Sequence, residues 1–174
     1  VYVSAGPRYT STLVHDSIVR PFDIRPGTSP ALALTVEFPQ ARGWTAGVRL
    51  DVSWSQLRRY DEQGDADLGG LGMLAATVGL RRTLAPRVSA GLRAGALRYQ
   101  PAREDGVFAS GTGGLVPLVG LAATFAGATP RSLGLELGYD LHRFITPALR
   151  ERGYQDARVV HRLTLALRAR INSR

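Results

Sequence analysis

The feature that most constrains this chain is strict alternation of apolar and polar residues along segments too long for an ordinary soluble strand. In Trp44–Thr45–Ala46–Gly47–Val48–Arg49–Leu50–Asp51–Val52–Ser53–Trp54, even positions are apolar and odd positions small or charged. A period of two places successive side chains on opposite faces of a strand. Soluble strands usually run about 5–6 residues, so this one is long. The pattern recurs. Leu32, Leu34, Val36 and Phe38 oppose Ala33, Thr35 and Glu37; Leu74 to Leu80 oppose Ala75 to Arg81; Val88 to Ala94 oppose Ser89 to Gly95. Leu133 to Leu141 oppose Gly134 to His142, and Val159 to Ile171 oppose Val160 to Arg170. Weaker segments at 1–9 and 115–126 bring the expected total to about eight strands within one domain, 1–174.

Gly114 to Ala126 is a nearly unbroken apolar run. It falls short of the roughly 20 residues a helical span needs and contains Pro117 and Gly120. It therefore reads as a strand with an apolar inner side at Val116, Leu118, Gly120 and Ala122.

Short and long connections alternate. Residues 39–43, 83–87 and 127–131 are short and rich in turn formers. Residues 10–30, 58–70, 99–114 and 143–157 are long and polar. An outer-membrane barrel has this arrangement, with short turns in the periplasm and long loops outside. Both chain ends then fall on the periplasmic side. Trp44 and Trp54 act as a ruler: ten residues of tilted strand span roughly 25 Å, the height of the apolar band. Phe38 and Phe125 join the lower aromatic girdle, and Tyr9, Tyr139 and Phe144 the upper. The absence of a basic, then apolar, leader suggests that Val1 begins a mature chain, if the protein is exported.

On these strands and connections the chain resembles the small eight-stranded bacterial outer-membrane barrels of the OmpA transmembrane-domain and OmpX type, by pattern rather than by motif. The resemblance covers nearly the whole chain. It implies a transmembrane up-and-down antiparallel β-barrel without enzymatic activity. Two features depart from the family pattern: the last strand ends at Ile171 rather than in an aromatic, and Pro7 and Pro117 lie inside strands, where each removes a ladder donor. Both prolines are expected near the outer rim or at bulges.

Period two alone does not say which face is inside. The polar face combines Gly, Ala, Ser and Thr with a few long charges, which suits a narrow lumen better than a solvent surface. That argues against the soluble, lipocalin-like alternative. The lumen then holds Glu37, Arg49, Asp51, Arg81, Arg93, Glu136, Asp140, Arg162 and Arg168. Buried charges require partners. Folding the last hairpin places Arg162 near Gly138, between Glu136 and Asp140. This trio, extended by Arg49, Asp51 and Arg93, is expected to plug the barrel. A narrow, anion-preferring pore is the alternative.

The charge of +8 comes entirely from arginine, since lysine is absent. The arginines are dispersed, without the dense stripe or stacking aromatics of a nucleic-acid surface. Arg42, Arg82, Arg87, Arg131, Arg170 and Arg174 lie at or beyond the short-turn ends with no acid among them. They suggest a periplasmic rim that grips anionic lipid headgroups, with other outer-membrane or periplasmic proteins as further candidate partners. The chain has no cysteine, which excludes disulfides and thiol chemistry. His15, His142 and His161 are read as loop, lumen-mouth and interfacial residues. No Ser follows His161 at the H-x-S spacing used by lipid A deacylase barrels, leaving a lipid-modifying enzyme as the second reading. No cofactor or metal is expected; the acidic stretch Asp61 to Asp67 reads as a solvated loop.

Overall fold

The computed structural model describes residues 1–16, 21–127 and 133–171. Among these residues ten strands form: β1 (Tyr2–Thr10), β2 (Val14–Asp16), β3 (Phe22–Pro26), β4 (Ser29–Pro39), β5 (Trp44–Asp61), β6 (Gly64–Ala85), β7 (Val88–Pro101), β8 (Val116–Phe125), β9 (Gly134–Phe144) and β10 (Arg158–Arg170). Eight of them close a ring, in the order β1-β4-β5-β6-β7-β8-β9-β10, with β10 pairing back to β1. Every pairing is antiparallel. The chain is an up-and-down barrel.

The faces divide as the alternation requires. Leu34, Leu50, Val78, Leu92, Leu121 and Leu165 are exposed on the outside, while Arg49, Asp51, Arg93, Glu136, Asp140, Arg162 and Arg168 are buried within. Water would penalise such an outer surface and hydrocarbon would not, so the wall is built to stand in a bilayer as a transmembrane β-barrel. Closure gives every wall strand a hydrogen-bonded neighbour on each side, as a lipid environment demands. No described helix is long and apolar enough to cross a membrane.

The long connections are more structured than their polarity suggests. Residues 58–70 do not form a loop: β5 continues to Asp61 and β6 resumes at Gly64, leaving a two-residue tip. With 22 residues, β6 is roughly twice the 9–11 residue length that crosses a membrane, so this hairpin projects beyond the bilayer. A bulge between Gln56 and Arg58 interrupts the alternation there, which hides the strand from a period-two reading. The 10–30 connection supplies β2 and β3; β3 pairs with Leu57–Asp61 of β5 and extends the projecting sheet. The 143–157 connection holds the short helix α1 (Pro147–Glu151), capped by Thr146, and 99–114 contains a 3-10 turn at Gly106–Phe108.

At the opposite end the turns are tight. Pro86–Arg87 joins β6 to β7, and Arg42 lies in a 3-10 turn before Trp44. Pro117 sits one residue inside the outer end of β8, and Pro7 lies where the β1–β10 ladder skips. Gly6 beside it leaves no room for a side chain, since a Cβ would approach the Leu165 carbonyl oxygen to 2.0 Å.

Candidate functional site

The lumen is a stack of ion pairs beneath an apolar stopper. At the turn end, Glu37 receives Arg81 at 2.7 Å and also Arg168, whose guanidinium stacks over the Tyr2 ring at 3.8 Å. One level further in, Arg49 pairs with Glu136 at 2.7 Å and Ser4 donates to the same carboxylate at 3.3 Å. At mid-barrel, Asp51 accepts from Arg8 at 2.6 Å and from Arg162 at 3.3 Å. Arg8 also reaches Thr164 at 2.9 Å and Ser53 at 3.2 Å. Across from this group, Arg93 donates to Asp140 at 2.7 Å.

All nine lumen charges named from the sequence thus point inward, but not in the arrangement expected. Arg162 stands opposite Asp140 in the ladder, and Gly138 faces Thr164, two positions away. The Arg162 guanidinium crosses to Asp51, leaving Asp140 to Arg93 and Glu136 to Arg49. There is no Glu136–Asp140–Arg162 trio. The reason is barrel closure: β5 carries Asp51 to within reach across the lumen, and ladder order along one hairpin does not reveal cross-barrel distances.

Arg8 was not among the expected lumen residues, yet Arg8 and Arg162 are both 0% exposed. The alternation of Val3, Ala5 and Tyr9 against Ser4, Arg8 and Thr10 carried that signal. Glycines make the space. A Cβ at Gly120 would lie 2.1 Å from Asp140 Oδ1, and one at Gly138 2.7 Å from Arg93 Nη2.

Above the charges the lumen turns apolar. Leu71, Met73, Leu97, Tyr99, Leu118 and Val160 point inward from the wall, and Leu13, Val14, Ile24, Val107, Phe108 and Leu149 descend on them from the connections. Phe144 belongs to this stopper rather than to the upper girdle: it is buried, edge-on to Tyr99 at 5.1 Å between ring centroids and to Phe108 at 6.0 Å. His142 is likewise not at an open mouth. It is buried at the base of the stopper and hydrogen-bonded to the Tyr99 hydroxyl. The connections brace one another: Thr146 donates to the Val107 carbonyl, Ser110 to Glu151 at 2.9 Å, Arg152 to the Gly106 carbonyl at 3.2 Å, and the Tyr154 hydroxyl to Asp16.

No protein-family model matches the sequence, and no curated protein matches it. Among solved structures the chain is similar to the Yersinia pestis outer membrane protein Ail, whose backbone structure was determined in a phospholipid bilayer nanodisc. The two are 15% identical with a TM-score of 0.47, over 96% of this chain and 98% of that one. So distant a likeness carries no functional argument.

Outside the wall, Phe38, Trp44 and Trp54 are exposed, with Trp44 and Trp54 ten positions apart on β5. Tyr139 is half-buried and bonded through its hydroxyl to His161 Nδ1 at 2.7 Å. Ser11 Oγ accepts from the His161 backbone N–H at 3.0 Å. His15 pairs with Asp23 at 2.8 Å in the β2–β3 hairpin. The acidic stretch lies at the projecting tip, where Arg58 meets Asp65 at 3.0 Å and Arg59 meets Asp61 at 3.1 Å. Among the described residues no three His, Asp or Glu side chains group as a metal site would require.

The rim arginines divide. Arg42, Arg82 and Arg87 are exposed at the turn end, and Arg82 lies over the Trp44 ring at 5.7 Å. Arg170 instead has lumen parity and lines the barrel mouth with Tyr2, Arg81, Ser89 and Arg168. Arg131 and Arg174 lie outside the described residues.

Proposed function

We propose that this chain is a non-enzymatic, non-conducting outer-membrane barrel that holds its connections rigidly outside the cell for contact with other molecules. The carrying observation is the double closure of the lumen: buried ion pairs, then an apolar stopper to which three of the four long connections contribute. A stopper of this kind excludes water and so opposes ion passage. It also fixes the connections to the wall, and the β2-β3-β5-β6 sheet adds a stiff projecting platform. Rigid presentation lowers the ordering cost of binding a partner.

In this reading the turn end and both termini face the periplasm. Arg42, Arg82 and Arg87 contact anionic headgroups there, with Arg82 extending from beside Trp44 into the headgroup layer. Backbone geometry supports a role for two of these side chains. Arg42 (φ 59°) and Arg87 (φ 79°) are the positive-φ residues other than glycine among the described residues. Such a conformation normally favours Gly or Asn, so arginine stands there against a local backbone preference.

An epitope inserted between Glu62 and Gln63 should be detected on intact cells, and an N-terminal tag only after the outer membrane is permeabilised. The opposite pattern refutes the orientation. Purified protein should release no fatty acid from acylated lipid A or phospholipid in detergent; release would favour the enzyme reading. Charge reversal at Arg42, Arg82 and Arg87 together should reduce co-purified anionic phospholipid, and unchanged lipid content would eliminate the headgroup grip.

A further inference from the structure

Three polar side chains are exposed on the outer face of the wall, Arg98 of β7, Arg143 of β9 and His161 of β10. In the ladder Arg98 pairs with Leu74, Arg143 with Val159 and His161 with Leu141. Among the described residues neither guanidinium has a hydrogen-bond or ion-pair partner. His161 Nδ1 is held by the Tyr139 hydroxyl at 2.7 Å and its backbone by Ser11, which leaves Nε2 without a partner. Among the described residues no carboxylate has outward parity on the outer halves of β7 to β10. The lumen is the opposite case, since its arginines meet acids.

The three side chains also stand at one height. Ladder rows climb as they circle a tilted barrel. A row that leaves β5 at Thr45 passes Gly138 and Arg8 and reaches β4 at Ser29, two positions outside Ala31, the partner of Ser53. One circuit therefore climbs about ten residues, and each strand step a little over one. Arg98 shares a row with Val52, two steps round from β5, and His161 shares one with Val48, five steps round. Arg143 stands one residue beyond His142, whose row leaves β5 at Arg49, four steps round. All three thus come level with Trp54, the exposed tryptophan at the upper end of the apolar band. Arginine on the lipid face is costly at the midplane and nearly free at the interface, where headgroups supply the counter-charge. Between Arg98 and Arg143 lies β8, so their strands are two spacings apart, about 10 Å. The floor between them is apolar, with Leu115 and Val119 exposed.

We propose that the outer edge of β7 to β10 binds one phosphorylated outer-leaflet glycolipid of the lipid A type. One phosphate lies on Arg98 and a second on Arg143 and His161, with the acyl chains over Val119 and Leu121. A disaccharide headgroup with a phosphate at each end bridges two such cationic positions, whereas a phospholipid with one phosphate engages only one. Tyr139 is a positioning residue that fixes the His161 ring. The inference rests on the orientation proposed above, with the long connections outside. The epitope experiment decides that orientation separately, and the test below uses micelles, which have no leaflets.

Native mass spectrometry of the folded barrel in maltoside micelles reads binding directly. Bisphosphoryl lipid A should bind one to one, with dephosphorylated lipid A and phosphatidylglycerol about tenfold weaker. Arg98→Gln and Arg143→Gln should each weaken bisphosphoryl lipid A about fivefold. Arg150→Gln, which removes the same charge from the exposed side of α1, should leave it unchanged. Equal affinity for phosphatidylglycerol overturns the site and leaves a general anionic belt; unchanged binding in both arginine variants also overturns it. Should a variant not fold, the unmodified barrel decides by nuclear magnetic resonance. A saturating shift of the His161 imidazole signal with bisphosphoryl lipid A, absent with the dephosphorylated lipid, supports the site, and no shift overturns it.

Discussion

Arg93 Nε donates to Asp140 Oδ1 at 2.7 Å across an intervening strand, and the residue between them in the ladder is Gly120. Arg93 pairs in register with Gly120, and Gly120 with Asp140, so the two charged side chains meet over a position that has none. A Cβ there would lie 2.1 Å from Asp140 Oδ1 and 2.7 Å from the Tyr139 carbonyl oxygen. Gly120→Ala should therefore displace Asp140 and weaken its pair with Arg93. Breaking a buried pair costs about 3–5 kcal/mol. We expect a loss of at least 2 kcal/mol in urea unfolding from lipid vesicles, whereas Gly114→Ala, with open space at its Cβ, should change little.

Asp51 is the carboxylate on which most of the mid-barrel depends. It accepts Arg8 and Arg162 and has Arg49 at 3.7 Å. Asp51→Asn leaves Arg8 and Arg162 buried beside each other without their shared anion. It should be more damaging than Glu37→Gln, since Glu37 sits nearer the mouth, with partners that water reaches more readily. The heat-induced gel shift of the folded barrel gives the measurement. Asp51→Asn should lose the folded band at a lower temperature than Glu37→Gln, and the reverse order would remove Asp51 from its central place.

Two closures in series predict how conductance responds to mutation. In planar bilayers the unmodified barrel should show no regular steps. Arg162→Ala alone should also stay closed, because the stopper around Tyr99, Phe108 and Phe144 remains. Arg162→Ala combined with Phe108→Ser and Leu149→Ser removes material from both layers and should admit current. Steps from the single variant would show that the apolar layer does not seal.

Outside the membrane, Tyr154 bonds Asp16 and ties the last long connection to the first. Burial and the Asp16 carboxylate hold its phenol above the ordinary value of 10.0. A raised folded-state pKa means the contact contributes fully below the unfolded value, and the contribution fades as pH rises through the folded one. Titration of phenolate absorbance should show one tyrosine in this loop ionising late, and Tyr154→Phe should remove it. Protease sensitivity near residues 150–157 should rise above pH 10 in the unmodified chain and change less in Tyr154→Phe. Equal pH responses would exclude the tie.

Much of this molecule was legible in one dimension. A period of two assigns each wall residue to a face, which is why Trp44, Trp54 and Phe38 fall outside and Glu37, Asp51 and Arg168 inside. The order of short and long connections follows from an even-stranded meander. The projecting β5–β6 hairpin escaped because a bulge and the pair Arg58–Arg59 broke the alternation. The stopper escaped for a different reason: parity puts Leu97 and Met73 on the lumen face, but only the folded connections show that Leu13, Val107, Phe108 and Leu149 descend to cover them.

The sequence by itself determined the strand faces, the number of wall strands and the chemical character of wall and lumen, because backbone pleating is local and needs only neighbours along the chain. Only the tertiary structure decided which arginine meets which carboxylate. Arg162 reaches Asp51 rather than Glu136 or Asp140 because closing the ring brings β5 opposite β10, and that distance depends on barrel width and strand stagger. It also decided that six guanidiniums share four carboxylates inside one lumen, since such an imbalance becomes physical only once the charges leave water together.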